Sequence, residues 1–182
     1  EHRLHILLSV IRKLPAVMRE NDFKLTATLE RPVRDEGRTN IINVEPGDAT
    51  DHNYAVAMDV GTTTIWGEVL NLKTGEVLAA YGDFNGQISY GEDVISRIVQ
   101  AEKVGGLEKL NRAVIDTMNT ILKKIIKRSG VDADQISTIT LAGNTTMTQL
   151  LLSIEPRYIR RSPFVPAATL FPPLKAAELG LE

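Results

Sequence analysis

The chain has 182 residues, 43% hydrophobic and 24% charged, and its 21 basic and 23 acidic side chains leave a net charge of -2. That length suits about one domain with a smaller appended element, and the near-neutral balance supplies no field to attract nucleic acid or an anionic membrane. Cysteine is absent, which excludes disulfides and thiolate-held iron–sulfur or zinc sites within these residues, and no apolar run approaches the ~20 residues of a membrane span.

Residues 4–20 read as a helix, because Leu4, Leu7, Leu8, Ile11 and Leu14 recur at helical spacing; Pro15 is expected to break or kink it. Arg12, Lys13 and Pro15 interrupt this stretch, so it does not read as a signal peptide, and with no cysteine the expectation is a cytoplasmic protein. Residues 23–30 alternate apolar and polar as a half-buried strand does. Residues 31–53 hold Pro32, Gly37, Pro46 and Gly47 around a short apolar core, Ile41 to Val44. They read as a linker with one short strand and as the best domain boundary.

From Tyr54 the pattern changes. Residues 54–58 are continuously apolar, the mark of a strand buried on both faces. Residues 64–71 form a second strand, Lys73 to Glu76 a turn in which Gly75 takes a positive φ, and Val77 to Tyr81 a third strand, together an antiparallel meander. Residues 91–102 form a helix with Val94, Ile95, Ile98 and Val99 on one face, and Glu92 and Asp93 complement its N-terminus. After Gly105 and Gly106, residues 107–128 give a long amphipathic helix on Leu107, Leu110, Val114, Ile115, Met118, Leu122, Ile125 and Ile126. It closes on Lys123, Lys124, Lys127 and Arg128 and is capped by Gly130. Ile136 to Leu141 is a strand, Thr145 is placed to cap a short helix through Leu152, and the proline-rich remainder is an extended loop. Residues 54–153 thus run strand, strand, strand, helices, strand, helix, the order of a ribonuclease-H-like α/β unit with helices on a mixed sheet.

The chemistry concentrates where the first of these strands ends, at Asp59-Val60-Gly61-Thr62-Thr63-Thr64. Glycine permits a tight turn, successive amides from Gly61 to Thr64 can face phosphate oxygens, and three threonine hydroxyls add donors. Asp59 suits water-mediated Mg²⁺ binding, since Mg²⁺ keeps several waters and few protein carboxylates. A D-x-G-T run also occurs in plain hairpins, where Asp and Gly only shape the turn; the flanking strands and the order of later elements favour phosphate. No P-loop signature is present, and a strand rather than a helix follows the glycine. Gly143, Asn144 and Thr145 follow a strand end, where ligands gather in open α/β sheets, or else serve only as a turn and helix cap. Arg157, Arg160 and Arg161 read as a solvated loop or as a docking surface for an acidic partner. Trp66 reads as core or a partly exposed sheet face, and His52 as a surface histidine. Three histidines, His2, His5 and His52, are too dispersed for a metal site.

Four blocks carry a closer resemblance: residues 53–64, residues 89–98 (Ser89-Tyr90-Gly91-Glu92-Asp93-Val94-Ile95-Ser96-Arg97-Ile98), residues 142–147 (Ala142-Gly143-Asn144-Thr145-Thr146-Met147) and residues 162–167 (Ser162-Pro163-Phe164-Val165-Pro166-Ala167). In this order they resemble the ASKHA-type (actin, hexokinase and heat-shock-protein superfamily) reductive activators of corrinoid proteins. The resemblance implies ferredoxin-containing, ATP-dependent enzymes that return an inactive Co(II) corrinoid protein to Co(I). It implies residues 1–30 as the end of a small α+β middle domain, 31–53 as a linker, and 54–182 as a first ribonuclease-H-like subdomain, incomplete at its C-terminus. It implies ATP and Mg²⁺ at the site, with Asp59 and Asn144 catalytic and Gly61, Thr62, Thr63, Thr64, Gly143 and Thr145 binding the nucleotide. A [2Fe–2S] cluster would belong to an N-terminal domain not within these residues. A corrinoid protein or corrinoid-dependent methyltransferase is the implied partner, and a homodimer the implied assembly. Half a nucleotide cleft is expected to be inactive alone. The alternatives are a small-molecule kinase of the same superfamily and a non-catalytic assembly module.

Overall fold

The computed structural model describes residues 3–31 and 38–182, which form two compact units. The first comprises Glu1–Ala55, Asn71–Glu76 and Val131–Thr138, and the second Val56–Leu70, Val77–Gly130 and Ile139–Glu182.

In the first unit the expected N-terminal helix is two elements. Strand β1 spans Arg3–Ile6 and helix α1 spans Leu8–Glu20, with Pro15 inside it. The helix continues because Val10 and Val17 are buried against Val44, with Leu7, Leu14, Leu25 and Ile41 packed around them. That apolar stripe, rather than the exposed Leu4, Leu8 and Ile11, holds α1 through the missing proline N–H; tertiary burial outweighs local propensity. Strand β2 spans Leu25–Glu30 and β3 spans Arg38–Pro46. The sheet order is β1-β3-β2, with β1 parallel and β2 antiparallel to β3.

The short strand expected within residues 31–53 is longer than its apolar core. Ile41 to Val44 is the middle of a nine-residue strand at the centre of a mixed sheet. Its length depends on pairing both flanks, Arg38 opposite Arg3 and Pro46 opposite Leu25, partners that no local window contains. Pro32 and Gly37 lie outside the described residues.

The four-stranded sheet has the order β6-β5-β4-β7, where β4 is Tyr54–Val60, β5 Thr64–Asn71, β6 Val77–Phe84 and β7 Ile136–Gly143. Strand β6 runs three residues beyond the expected Tyr81, since antiparallel pairing continues to Thr64 opposite Phe84. The turn between β5 and β6 has Gly75 at φ 77°, as its sequence requires. Together the two sheets make this a mixed α/β fold.

Helix α2 spans Val94–Ala101, α3 Gly106–Ser129 and α4 Thr145–Leu151. Gly130 closes α3 in the left-handed conformation at φ 70° and returns its N–H to the Ile126 carbonyl. Leu110, Val114, Met118, Ile121 and Ile125 are fully buried along α3. Gly67 on β5 lets the helix approach: a Cβ there would stand 2.8 Å from Ile121 Cγ2 and 3.4 Å from Met58 Cε. Two of the basic side chains at the end of α3 pack on the sheet. Lys124 Nζ donates to the Tyr81 hydroxyl at 2.6 Å and lies 4.0 Å from that ring's centre, and Arg128 donates to the Ala80 carbonyl at 3.3 Å, so both seat α3 on β6.

The N-terminus of α2 is a reciprocal capping box. Asp93 Oδ1 accepts from the Ser96 amide at 2.9 Å, while Ser96 Oγ accepts from the Asp93 amide at 3.1 Å. The Ser96 amide is the largest cause holding the Asp93 carboxyl below its ordinary 3.8. A carboxyl lowered in the folded state adds stability above its unfolded pKa and loses it as the pH falls through the folded value. Asp93→Ala should therefore lower the melting temperature at pH 7, and the gap to wild type should narrow as the pH drops below 3.8. A gap of constant size in pH-resolved thermal melts would refute the carboxylate's part in the cap.

Candidate phosphate-binding turn

All of the sequence-derived site residues lie in the second unit. Strand β4 ends at Val60, and the chain turns through Gly61, Thr62 and Thr63 into β5. The glycine is required for a steric rather than a torsional reason. Its φ is not in the left-handed region, but a Cβ would stand 2.5 Å from the Thr64 carbonyl oxygen. The turn closes on its own backbone there, and no larger residue fits without movement.

Three successive carbonyls of this turn are held from one side. Asn85 Nδ2 donates to the Gly61 oxygen at 2.9 Å, Arg97 Nη2 to the Thr62 oxygen at 2.6 Å, and the Asn85 amide to the Thr63 oxygen at 2.9 Å. In a trans peptide the C=O and the following N–H point opposite ways. Pulling these oxygens toward the buried Asn85 and Arg97 therefore turns the amides of Thr62, Thr63 and Thr64 away from them. Among the described residues no acceptor takes the Thr62 or Thr63 amide. Thr63 and Thr64 are exposed, Thr62 half-buried, and Asp59 exposed near the end of β4. Two free amides, exposed hydroxyls and one carboxylate fit a phosphate with a hydrated Mg²⁺.

A second strand end meets the turn. Asn144 Nδ2 donates to Thr62 Oγ1 at 3.2 Å, and a Cβ on Gly143 would stand 3.1 Å from the Val60 carbonyl. The cap of α4 is Asn144 rather than the expected Thr145: its Oδ1 accepts from the Met147 amide at 3.0 Å. Asn144 has the extended backbone that a cap needs, whereas Thr145 is already the first helical residue. One amide side chain thus caps the helix with its oxygen and reaches the turn with its nitrogen. Asn144→Ala should cost about 1 kcal/mol through the lost cap, measured by chemical denaturation. A loss too small to detect would assign the cap's stability elsewhere.

Asn85, Gln87 and Arg97 were not among the residues singled out from sequence, yet each is fully buried. Arg97 also donates to the Gly91 carbonyl at 2.9 Å, Gln87 Oε1 at 3.0 Å and Met147 Sδ at 3.2 Å. Gln87 Nε2 in turn donates to the Leu110 carbonyl at 3.0 Å. The expected apolar face of α2 was rotated: Ile95 and Val99 are exposed, while Arg97, Ile98 and Ala101 are buried. An available signal was that Arg97 falls three residues after Val94 and four before Ala101, on the face that Ile98 anchors.

The other candidates lie elsewhere. Arg160 and Arg161 both pair with Glu102 at 2.7 Å, and Arg157 with Glu155 at 3.4 Å. Burial alone would push the Glu102 carboxyl up, but its hydrogen bond to Arg160 and the charges of Arg160, Arg161 and Arg157 bring it below its ordinary value. Two of the three loop arginines are thus tied to this carboxylate. His52 is exposed and bonds Glu45 and Gln135 at 3.0 and 2.8 Å. Trp66 is half exposed, its ring over Gly82 and its N–H on Glu68 at 2.8 Å. Among the described residues no group of three or more His, Asp or Glu is placed to hold a metal ion, and no helix is long and apolar enough to cross a membrane.

Residues 54–182 match the RACo middle region family and residues 1–51 the RACo linker region family. The chain belongs to the RACo family. Among curated proteins, the corrinoid activation enzyme RamQ of Eubacterium limosum is 34% identical over 113 residues, which is 62% of this chain and 19% of RamQ. Among solved structures, a reductive activator for corrinoid, iron–sulfur protein is 36% identical, covers all of this chain and superposes at a TM-score of 0.84. This RACo-family chain spans 28% of that activator's length. An Aquifex aeolicus Ppx/GppA phosphatase overlaps 71% of the chain and 34% of its own length at 9% identity and a TM-score of 0.30, too distant to carry an argument. The resemblance to reductive activators of corrinoid proteins, read from four sequence blocks, is met by both RACo matches and both relatives.

Proposed function

We propose that this chain carries the phosphate-binding part of an ATP site in a reductive activator that returns a Co(II) corrinoid protein to Co(I). One observation carries the reading: the carbonyls of Gly61, Thr62 and Thr63 are all held on one side, which turns successive amides toward the other. Such a row of donors is an anion cradle. Its position after a strand, with Gly143 and Asn144 against it, supports nucleotide rather than a free anion. The sheet order, third strand, second, first, then fourth, supports the ribonuclease-H-like subdomain of an ASKHA ATPase.

In this reading Gly61, Thr62, Thr63, Thr64, Gly143 and Thr145 bind phosphate oxygens, Asn144 orients the Thr62 hydroxyl, and Asp59 holds Mg²⁺ through water. Mg-ATP, when bound, would couple its binding to a domain movement that helps push an electron uphill to cobalt. The chain's own residues position and neutralise the nucleotide, which is most of what phosphoryl transfer asks of a protein. A thiolate-held [2Fe–2S] cluster does not fit here, because the chain has no cysteine; electron delivery to cobalt belongs to other parts of a longer protein. The names of both relatives support a corrinoid protein as partner. A corrinoid-dependent methyltransferase as its carrier, a homodimer and a cytoplasmic setting complete the proposal.

The test uses the full-length protein with its Co(II) corrinoid partner and a reductant. Mg-ATP should raise the melting temperature, and the corrinoid absorbance should pass to that of Co(I) only when ATP is present. Reduction at the same rate without ATP would refute the reading, and phosphoryl transfer to a small acceptor would replace it with a kinase.

A further inference from the structure

Arg97 is fully buried and forms no ion pair with a carboxylate among the described residues. Its guanidinium is met instead by the Thr62 and Gly91 carbonyls, Gln87 Oε1 and Met147 Sδ. Neutral oxygens solvate a cation but leave its charge in place; the carboxylate of Asp93 favours that charge through space without touching it, and burial disfavours it more. The shortest of its contacts, 2.6 Å, is to the one turn carbonyl that no other group holds.

Resting on the phosphate reading above, we propose that Arg97 is a positioning residue of the turn, which aims the Thr63 amide and stands as a fixed positive charge behind the bound phosphates. Two effects act through the same peptide. Holding the Thr62 oxygen fixes the plane of the Thr62–Thr63 peptide, so the Thr63 N–H is aimed before the ligand arrives. A cation on the oxygen also polarises that peptide and strengthens its N–H as a donor. Asn85 does the parallel work for Gly61 and Thr63 without charge, which makes Arg97 the electrostatic member of the pair. A lysine would keep the charge but lose the planar fork that reaches Thr62, Gly91 and Gln87 together.

The experiment measures dissociation constants of ATP, ADP and adenosine by calorimetry in the full-length protein, for wild type, Arg97→Met and Arg97→Lys. Charge-assisted hydrogen bonds predict that Arg97→Met weakens ATP by about tenfold or more, ADP less, and adenosine hardly at all. Arg97→Lys should recover part of the ATP loss. A merely structural role would weaken all three ligands alike, and that result, or an ATP affinity within twofold of wild type, would overturn the proposal. If Arg97→Met does not fold, Arg97→Lys decides: wild-type ATP affinity overturns it, and a loss that grows with phosphate number upholds it. Wild-type protein that binds no nucleotide would overturn the phosphate reading first, and this inference with it.

Discussion

On the proposed function, Asp59→Ala in the full-length protein should abolish ATP-dependent reactivation of a corrinoid partner, a loss of about a hundredfold or more, while the spectrum of the proposed iron–sulfur cluster stays as it was. The residue is exposed near the end of β4, and among the described residues no hydrogen bond or ion pair engages its carboxylate. Folding therefore does not depend on it, and a surface change of this kind is worth within about 0.5 kcal/mol. In the proposed site the free carboxylate serves a ligand, and a hydrated Mg²⁺ is the ligand that needs one carboxylate and several waters. Asp59→Asn separates charge from shape: the amide keeps the volume and loses the attraction for Mg²⁺, so it should be nearly as inactive. Reactivation at the wild-type rate in either variant, with matched melting curves, would remove Asp59 from the site.

Gly61→Ala should injure both the fold and the site. The added methyl would stand 2.5 Å from the Thr64 carbonyl oxygen, a backbone atom that cannot step aside like the end of a flexible side chain. Relief requires the turn to open, which strains the carbonyl contacts to Asn85 and Arg97 and rotates the amides that they aim. Overpacking of this kind costs about 1–3 kcal/mol, and ATP affinity should fall together with stability. Gly75→Ala is the comparison. Gly75 has open space around its missing Cβ and only a positive φ of 77°, so its replacement should cost about 1 kcal/mol and leave ATP binding unchanged. Urea denaturation gives the stabilities and calorimetry the affinities. Wild-type ATP binding by a folded Gly61→Ala would show that the turn's tightness is dispensable.

Together these variants separate two kinds of residue in the turn. In the proposed reading Asp59, Thr63 and Thr64, which are exposed, act on a ligand directly. Gly61 and Asn85 act by shape, and Arg97 by shape and charge, in holding the backbone whose amides are proposed to bind. Exposed polar residues of the first kind stand out in a sequence because nothing in folding asks for them. Those of the second kind look like ordinary turn or helix residues until their partners are known.

The limits of local reading follow the same division. The strand at Tyr54, the turn glycine Gly61, the β5–β6 turn at Gly75, the long helix ending at Gly130 and the acidic start of α2 all depend on residues within a few positions of one another. Backbone sterics, capping and helical periodicity act over that range, so the sequence by itself determined these elements and the location of the turn. Tertiary structure decided the rest. Residues 38–46 became a central strand because β1 and β2 pair on its two edges, and Pro15 stayed inside a helix because Val10 and Val17 are buried against Val44. Thr62 met Asn144 because the ends of β4 and β7 lie side by side. The turn itself was visible as six consecutive residues, but the direction of its amides was not. That direction is set by Asn85 and Arg97, 24 residues from Gly61 and 35 from Thr62 along the chain, and hydrogen bonds over such separations exist only once the chain has folded.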